Sequence, residues 1–379
     1  MIETVFRNAR IVLADTVHDG DLVVRDGTIA EVGDRGSSDD GVDMEGDWLL
    51  PGLVELHTDH LESHYAPRPQ VRWNAAVAVQ AHDAQIAASG ITTVFDALRV
   101  GMDEDARLRS EDMRQLADAI EAGKSRGRLR ADHLIHLRCE VSAADVMDGF
   151  ALFADDPQVR LVSMMDHTPG QRQFTSMDAY RIYYQGKTGM SDDEFMAFVR
   201  QRQEHAGRWS PGNRKALSEA CRARGIILAS HDDATEAHVE EAVEHGVGLA
   251  EFPTTMEAAR ASREAGLKVL MGAPNIVRGG SHSGNVAAGD LADAGLLDVL
   301  SSDYIPFSLL QSIFMIADRS GSIDLPAAVA LVSANPAAAA GLDDRGEIAP
   351  GKRADLVQVH IDDGVPVVRS VWRQGRRVV

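Results

Sequence analysis

An α/β protein built as a (β/α)8 barrel, with a small β-sandwich made from both chain ends, is the fold this sequence predicts. Three observations carry it. Eight short apolar, β-rich runs recur between Leu53 and Asp303, and amphipathic helical stretches separate most of them. Histidines and carboxylates gather at the C-terminal ends of those runs, where barrels keep their chemistry. Both chain termini carry strand–turn–strand patterns too short to bury a core alone, so each end supplies what the other lacks.

In chain order, residues 1–51 hold TVFRNARIVL, GDLVVRDGTIAEVGD, a polar loop GSSDDG and MEGDWLL. Asp26-Gly27 between VVR and TIAEV is a hairpin signal, because both residues tolerate the positive φ that a tight hairpin turn requires. Residues 345–379 answer with GEIAPGKRADLVQVHIDDGVPVVRSVWRQGRRVV, and the two ends are expected to form one sandwich domain. Residues 52–344 form the expected barrel. Its strands fall at Leu53–Asp59, Ile91–Leu98, Asp132–Glu140, Val159–His167, Ile226–Asp232, Val247–Phe252, Lys268–Ala273 and Leu297–Asp303. Helical stretches include Asn74–Ser89, Ser110–Ser125, Ala234–His245 and Met256–Ala265, and an insertion is expected around 170–224. No Gly-x-Gly-x-x-Gly or P-loop follows a strand, which disfavours a doubly wound nucleotide-binding sheet.

The composition is that of an ordinary globular chain of 379 residues, 44% hydrophobic and 25% charged. A net charge of −20 argues against nucleic acid or an anionic membrane as partner. No run approaches the roughly 18 apolar residues that span a bilayer, and MIETVFRNAR has no signal-peptide core. Cys139 and Cys221 are too few for a disulfide framework and suit a reducing cytoplasm, the expected location. The expected partner is a small molecule, with self-association into a homo-oligomer left open.

The site begins in LLPGLVELHTDHLESHY, Leu49 to Tyr65. Alternation along a strand aims His57 and Asp59 the same way, two metal-competent groups at one strand end. Other strand ends contribute Asp96, Glu140, His167, His231 and Asp303. A mouth lined by His57, Asp59, Glu140, His167, His231 and Asp303 can hold two divalent ions. Asp303 also serves as the expected catalytic base that orients a water and takes its proton. Cationic and glycine-rich segments provide an anion cradle: Arg68 and Arg72 in PRPQVRW, Lys187 in YYQGKTGM, and Arg278, Gly279, Gly280 and His282 in NIVRGGSHSGN. Arg138, on one strand face with His136 and Glu140, reads as a buried partner for a carboxylate. His82 and Asp83 read as packing residues.

Taken together these segments resemble the amidohydrolase superfamily, where a strand-one His pair opens a metal site and both chain ends build a β-sandwich. Within it, ELHTD, PRPQVRW, HDAQIAASGITTVFDALRVG, MDHTPGQRQF and NIVRGGSHSGN are similar to the PhnM family of phosphonate metabolism. That resemblance implies hydrolysis of α-D-ribose 1-methylphosphonate 5-triphosphate to the 5-phosphate and diphosphate. It implies two divalent metals, zinc first, with manganese, iron or magnesium also compatible. The superfamily's usual His-x-His is His57-x-Asp59 here, which hardens the site. Its frequent bridging carboxylated lysine has no counterpart at a strand end, so Glu140 is the expected bridge. The alternative reading on the same scaffold is hydrolysis of a cyclic amide or other C–N bond.

Overall fold

The computed structural model describes residues 2–36, 40–101, 108–170, 172, 181, 185, 189–281, 284–319, 321 and 323–379. From the N-terminus come β1 (Glu3–Val12), β2 (Val17–Arg25), β3 (Thr28–Asp34), β4 (Val42–Asp43) and β5 (Trp48–Pro51). Eight strands follow: β6 (Leu53–Thr58), β7 (Ile91–Val100), β8 (Asp132–Glu140), β9 (Val159–Met165), β10 (Ile227–His231), β11 (Leu249–Glu251), β12 (Lys268–Gly272) and β13 (Val299–Ser301). The chain ends in β14 (Leu356–Asp362), β15 (Val365–Arg373) and β16 (Arg376–Arg377).

The terminal strands form one mixed sheet in the order β16-β15-β14-β5-β1-β2-β3, with β4 on β1. The predicted hairpin joins β2 to β3, with positive φ at Asp26 (48°) and Gly27 (82°). Phe6 of β1 and Trp372 of β15 meet edge to face with ring centres 4.9 Å apart. Flat neighbouring strands lie about 4.8 Å apart, so residues three strands distant would be about 14 Å apart. The sheet therefore curls on itself, and a core of Phe6, Ile11, Leu22, Ile29, Leu49, Leu356 and Trp372 fills the fold. Thr28 also bridges Arg353, which draws the far edge in.

Strands β6 to β13 run parallel in sequence order. Alternation divides their side chains. Val54, Leu56, Phe95, Leu161, Leu249, Leu270 and Val299 pack inside the barrel. Leu98, Val100, Leu137, Cys139, Val162 and Met164 face outward against Met113, Leu116 and Ile120 of the helix Ser110–Ser125. Both cysteines are buried and free. Within 170–224, where an insertion is expected, Asp192–Arg224 forms one helix of 33 residues. Its last turns pack Leu217 and Cys221 against the outer face of the barrel strands, so this part is the crossover between β9 and β10. Among the described residues no helix is long and apolar enough to cross a membrane.

The seam between β6 and β13 closes through few bonds. Asp303 N–H donates to His57 O at 3.1 Å, Asp59 N–H donates to Asp303 O at 3.3 Å, and Thr58 pairs with Asp303. Glu55, fully buried, accepts from His57 N–H at 2.6 Å and from Ser302 N–H. Burial pushes its carboxyl up to about 7 against those donors.

Outside the barrel, β7 and β8 meet the helix α2 (Ala75–Ala88), which follows the short helix α1 (His60–Tyr65). The expected packing residues His82 and Asp83 here join a buried charge network. His133 lies 2.7 Å from Asp96 and 3.3 Å from Asp83, and His82 lies 2.8 Å from Asp96. Against the cost of burial, the two carboxylates push His133 up to about 10. Burial likewise opposes the partners of Asp96, which bring it down to about 2. A raised histidine contributes stability below its unfolded value of 6.5 and loses it as pH climbs through about 10. A lowered aspartate contributes above 3.8 and loses that stability as pH falls toward 2. The unfolding free energy from urea titration should therefore fall as pH rises from neutrality to about 10, by on the order of a few kcal/mol. His133→Asn should be less stable at neutral pH and lose most of that alkaline slope.

Candidate active site

The mouth is organised by a carboxylate that the strand pattern brings to one point. Glu251 ends β11 and is fully buried. Its Oε1 accepts from His57 Nδ1 at 3.1 Å, and its Oε2 accepts from His231 Nδ1 at 3.2 Å and from Ser163 Oγ at 2.6 Å. Burial alone would raise this carboxyl, but His57 and the hydrogen bond from His231 hold it well below the usual range. Each Nδ1–H given to Glu251 fixes the tautomer and leaves the lone pair on Nε2. His167 repeats the arrangement, with its Nδ1 at 2.6 Å from Glu140 Oε2. Ser142 Oγ donates to the same carboxylate at 2.7 Å. Despite burial, His167, Arg99 and Ser142 keep Glu140 strongly acidic.

His57, His167 and His231 line one cavity of about 170 Å3 at the C-terminal end of the barrel. His57 and His231 stack with ring centres 5.6 Å apart, and His167 and His231 lie 5.9 Å apart. Phe252 sets its edge against both His57 and His231, at 5.0 and 5.3 Å. Asp232 Oδ2 lies 3.4 Å from His231 Nε2 and is buried with no hydrogen-bond donor. A bare carboxylate oxygen facing imidazole lone pairs is costly unless a cation sits among them. Deeper in the barrel, His136 Nδ1 donates to Leu56 O at 2.9 Å. Burial brings His136 down to about 3, so its Nε2 turns a further lone pair toward Ser163 and Glu251. Imidazoles each backed by a buried carboxylate, with open carboxylates beside them, suit a divalent ion of the zinc class.

Three residues at the mouth hold positive φ although none is glycine: Asp232 (58°), Phe252 (53°) and Asp303 (54°). Each follows the end of β10, β11 or β13, where the chain must turn sharply to aim a side chain inward. Asp303 sits against Asp59, His57, Arg138 and His231, and burial together with Asp59 raises its carboxyl. Arg138 Nη1 donates to Asp59 Oδ2 at 3.0 Å, the carboxylate partner expected of it, while also lining the cavity. Across the cavity stand Arg278, Gly280 and Ser281.

The expected residues divide clearly by position. The structure brings His57, His167, His231 and Asp303 to one cavity, with Asp59 beside Arg138 and Asp303. Glu140 differs from the expected bridging position. It stands behind His167, and the carboxylate among several histidines is Glu251. Arg278 and Gly280 reach the cavity, and Gly279 takes the left-handed cap of the helix Ala273–Arg278. Arg68 and Arg72 are exposed, Arg72 lies 3.7 Å from Asp112, and neither lines the cavity. Lys187 and His282 lie outside the described residues. Thr235 Oγ1 caps the helix after β10 by accepting from His238 N–H, and Asp232 lines the cavity instead. Glu251 escaped the sequence reading although its signal was present: a lone acid closing the apolar run GLAEFP.

A match to the amidohydrolase family spans residues 4–379, and the chain belongs to that family. Over 376 residues it is 50% identical to the alpha-D-ribose 1-methylphosphonate 5-triphosphate diphosphatase of Escherichia coli K12, covering 99% of this chain and all of that one. It is 27% identical to an imidazolonepropionase of Streptomyces griseus, over 97% of this chain and 92% of the relative. Among solved structures, 5-methylcytosine deaminase from Klebsiella pneumoniae superposes with a TM-score of 0.66 at 15% identity. That alignment covers 99% of this chain and 98% of the other, a likeness of fold.

The two buried carboxylates can be separated by experiment. Glu251→Gln keeps the volume but removes an acceptor for one of two Nδ1–H groups, and should weaken divalent-metal affinity about 100-fold. Glu140→Gln disturbs one ring and should cost nearer 10-fold. Competition with a chromogenic chelator measures both.

Proposed function

We propose that this protein hydrolyses α-D-ribose 1-methylphosphonate 5-triphosphate to α-D-ribose 1-methylphosphonate 5-phosphate and diphosphate, in the cytoplasm. The observation that carries the reading is the 50% identity to the Escherichia coli diphosphatase, which covers 99% of this chain and all of that one. The runner-up, hydrolysis of a C–N bond, has support only from more distant relatives such as the imidazolonepropionase and an adenine deaminase 26% identical to this chain. Two cations at the cavity wall favour the phosphorylated substrate, since a neutral cyclic amide would leave Arg278 without a use.

His57, His167 and His231 would hold divalent metal through Nε2, with Asp59, Asp232 and Asp303 as the nearby carboxylates. Zinc is the first choice for this donor set, and two ions fit the number of donors. Bound metal supplies charge that offsets the phosphate oxygens and makes a water acidic enough to ionise near neutral pH. The protein's own groups do the rest. Asp303 orients the attacking water and accepts its proton, a role its raised carboxyl suits. Arg138 neutralises Asp59 in the resting site and turns toward developing phosphate charge. Arg278 and the Gly279-Gly280 backbone bind the triphosphate, where the absence of a Cβ lets amides come close. In this mechanism water attacks the α-phosphorus, the Pα–O–Pβ bond breaks, and diphosphate leaves in one piece.

Phosphorus NMR on metal-loaded protein tests this directly. Diphosphate should accumulate from the ribose triphosphate, and His57→Ala should abolish it. Orthophosphate in its place would contradict the cleavage position, and no phosphate product would favour the C–N reading. In oxygen-18 water the label should enter the 5-phosphate product, and label confined to diphosphate would exclude attack at the α-phosphorus. Arg278→Met should raise KM at least 10-fold, the scale of one lost charge-assisted contact to phosphate.

A further inference from the structure

Outside the cavity, three imidazoles meet where α1 lies on α2. His60 and His64 stand one turn apart on α1, a spacing that places both on one helix face. His82 faces them from α2. Ring centres lie 5.0 Å apart for His60 and His64, 5.9 Å for His64 and His82, and 6.1 Å for His60 and His82. An ion about 2.0 Å from each of three imidazole nitrogens in tetrahedral geometry would set ring centres about 5 Å apart. The triangle is within about an ångström of that arrangement.

The protons are disposed to suit. His82 Nε2 donates to Asp96 Oδ1 at 2.8 Å, so Nδ1 carries the lone pair. The whole side chain is buried, and Nδ1 has no hydrogen-bond partner. His64 Nε2 is also buried without a partner. His60 Nε2 donates to Gln85 Oε1 at 3.0 Å, leaving Nδ1 as its open nitrogen. Burial lowers both His64 and His82 below the usual histidine value, in His82 against the pull of Asp96. Neutral rings with open lone pairs, one held by a carboxylate on its far nitrogen, are what a metal-ligating histidine requires.

We propose that His60, His64 and His82 form a separate binding site for a divalent transition-metal ion. An all-imidazole set selects zinc, cobalt, nickel or copper over magnesium or calcium. None of the three residues lines the catalytic cavity. His60 and His64 are half-buried, which gives an ion a path in. Bound there, the ion ties α1 to α2. Because α1 starts one residue after Asp59, the same clamp steadies the turn that presents Asp59 to Arg138.

Cobalt(II) is the probe, read by its visible absorption and by elemental analysis. The double variant His57→Asn/His231→Asn disables the cavity centre and should still bind about one cobalt per chain with the intense band of low-coordinate cobalt. Adding His64→Asn should remove that ion and the band. In the otherwise native holoenzyme, His64→Asn, at a half-buried position, should lower bound metal by about one ion per chain. Cobalt retained after His64→Asn, or unchanged metal content in the native background, would overturn the site.

Discussion

A carboxylate stripped of water is tolerated in a protein interior only when positive or hydrogen-bearing groups surround it. Glu251 imposes that condition on the whole barrel. Its partners come from β6 (His57), β9 (Ser163) and β10 (His231), so with its own β11 four strands meet at this group. Four strands must arrive in register before the charge is satisfied, and the same bonds orient the rings. The strained turns at Asp232, Phe252 and Asp303 follow from this, since each strand must end abruptly to keep its group at the mouth.

The division of labour within the barrel is clean. The lower interior is apolar, from Val54 through Leu270 and Val299, and supplies stability without specificity. The upper layer is polar and supplies chemistry. Scaffolds of this kind host hydrolysis of several bond types, so the fold alone does not choose among them. Here the choice falls to the cations. In a chain of net charge −20, Arg138 and Arg278 set two cations in the cavity wall beside the carboxylates of Asp232 and Asp303, and bound metal would add the remaining positive charge that a triphosphate needs.

Much of this was legible in the sequence because strands write themselves as short apolar runs. The eight runs begin within two residues of the observed barrel strands, and His57, His167, His231 and Asp303 were found by reading the ends of those runs. What was not legible depends on which groups pair across the barrel. Glu140 and Glu251 both close apolar strands, and nothing local says that one backs a single histidine and the other faces several. His136 lies four residues below its strand's end, too deep for a search confined to the rim. Arg68 and Arg72 sit in a Pro-stiffened loop that looks poised over the site, yet the loop carries them to the surface. The terminal sheet could be anticipated as a sandwich because neither end has enough strands alone. Its curl came from the contact of Phe6 with Trp372, 366 positions apart in the chain.

The central claim is that Glu251 and Glu140 orient His57, His231 and His167 so that their Nε2 atoms hold metal at the barrel mouth. Anomalous diffraction from crystals of zinc-loaded protein, recorded at the zinc edge, tests it most directly. The account predicts density at about 2.0–2.1 Å from Nε2 of these histidines. It also predicts that Nδ1 of each ring remains bonded to its carboxylate. Zinc bound through Nδ1, or density at Glu140 with none beside His57 and His231, would contradict it.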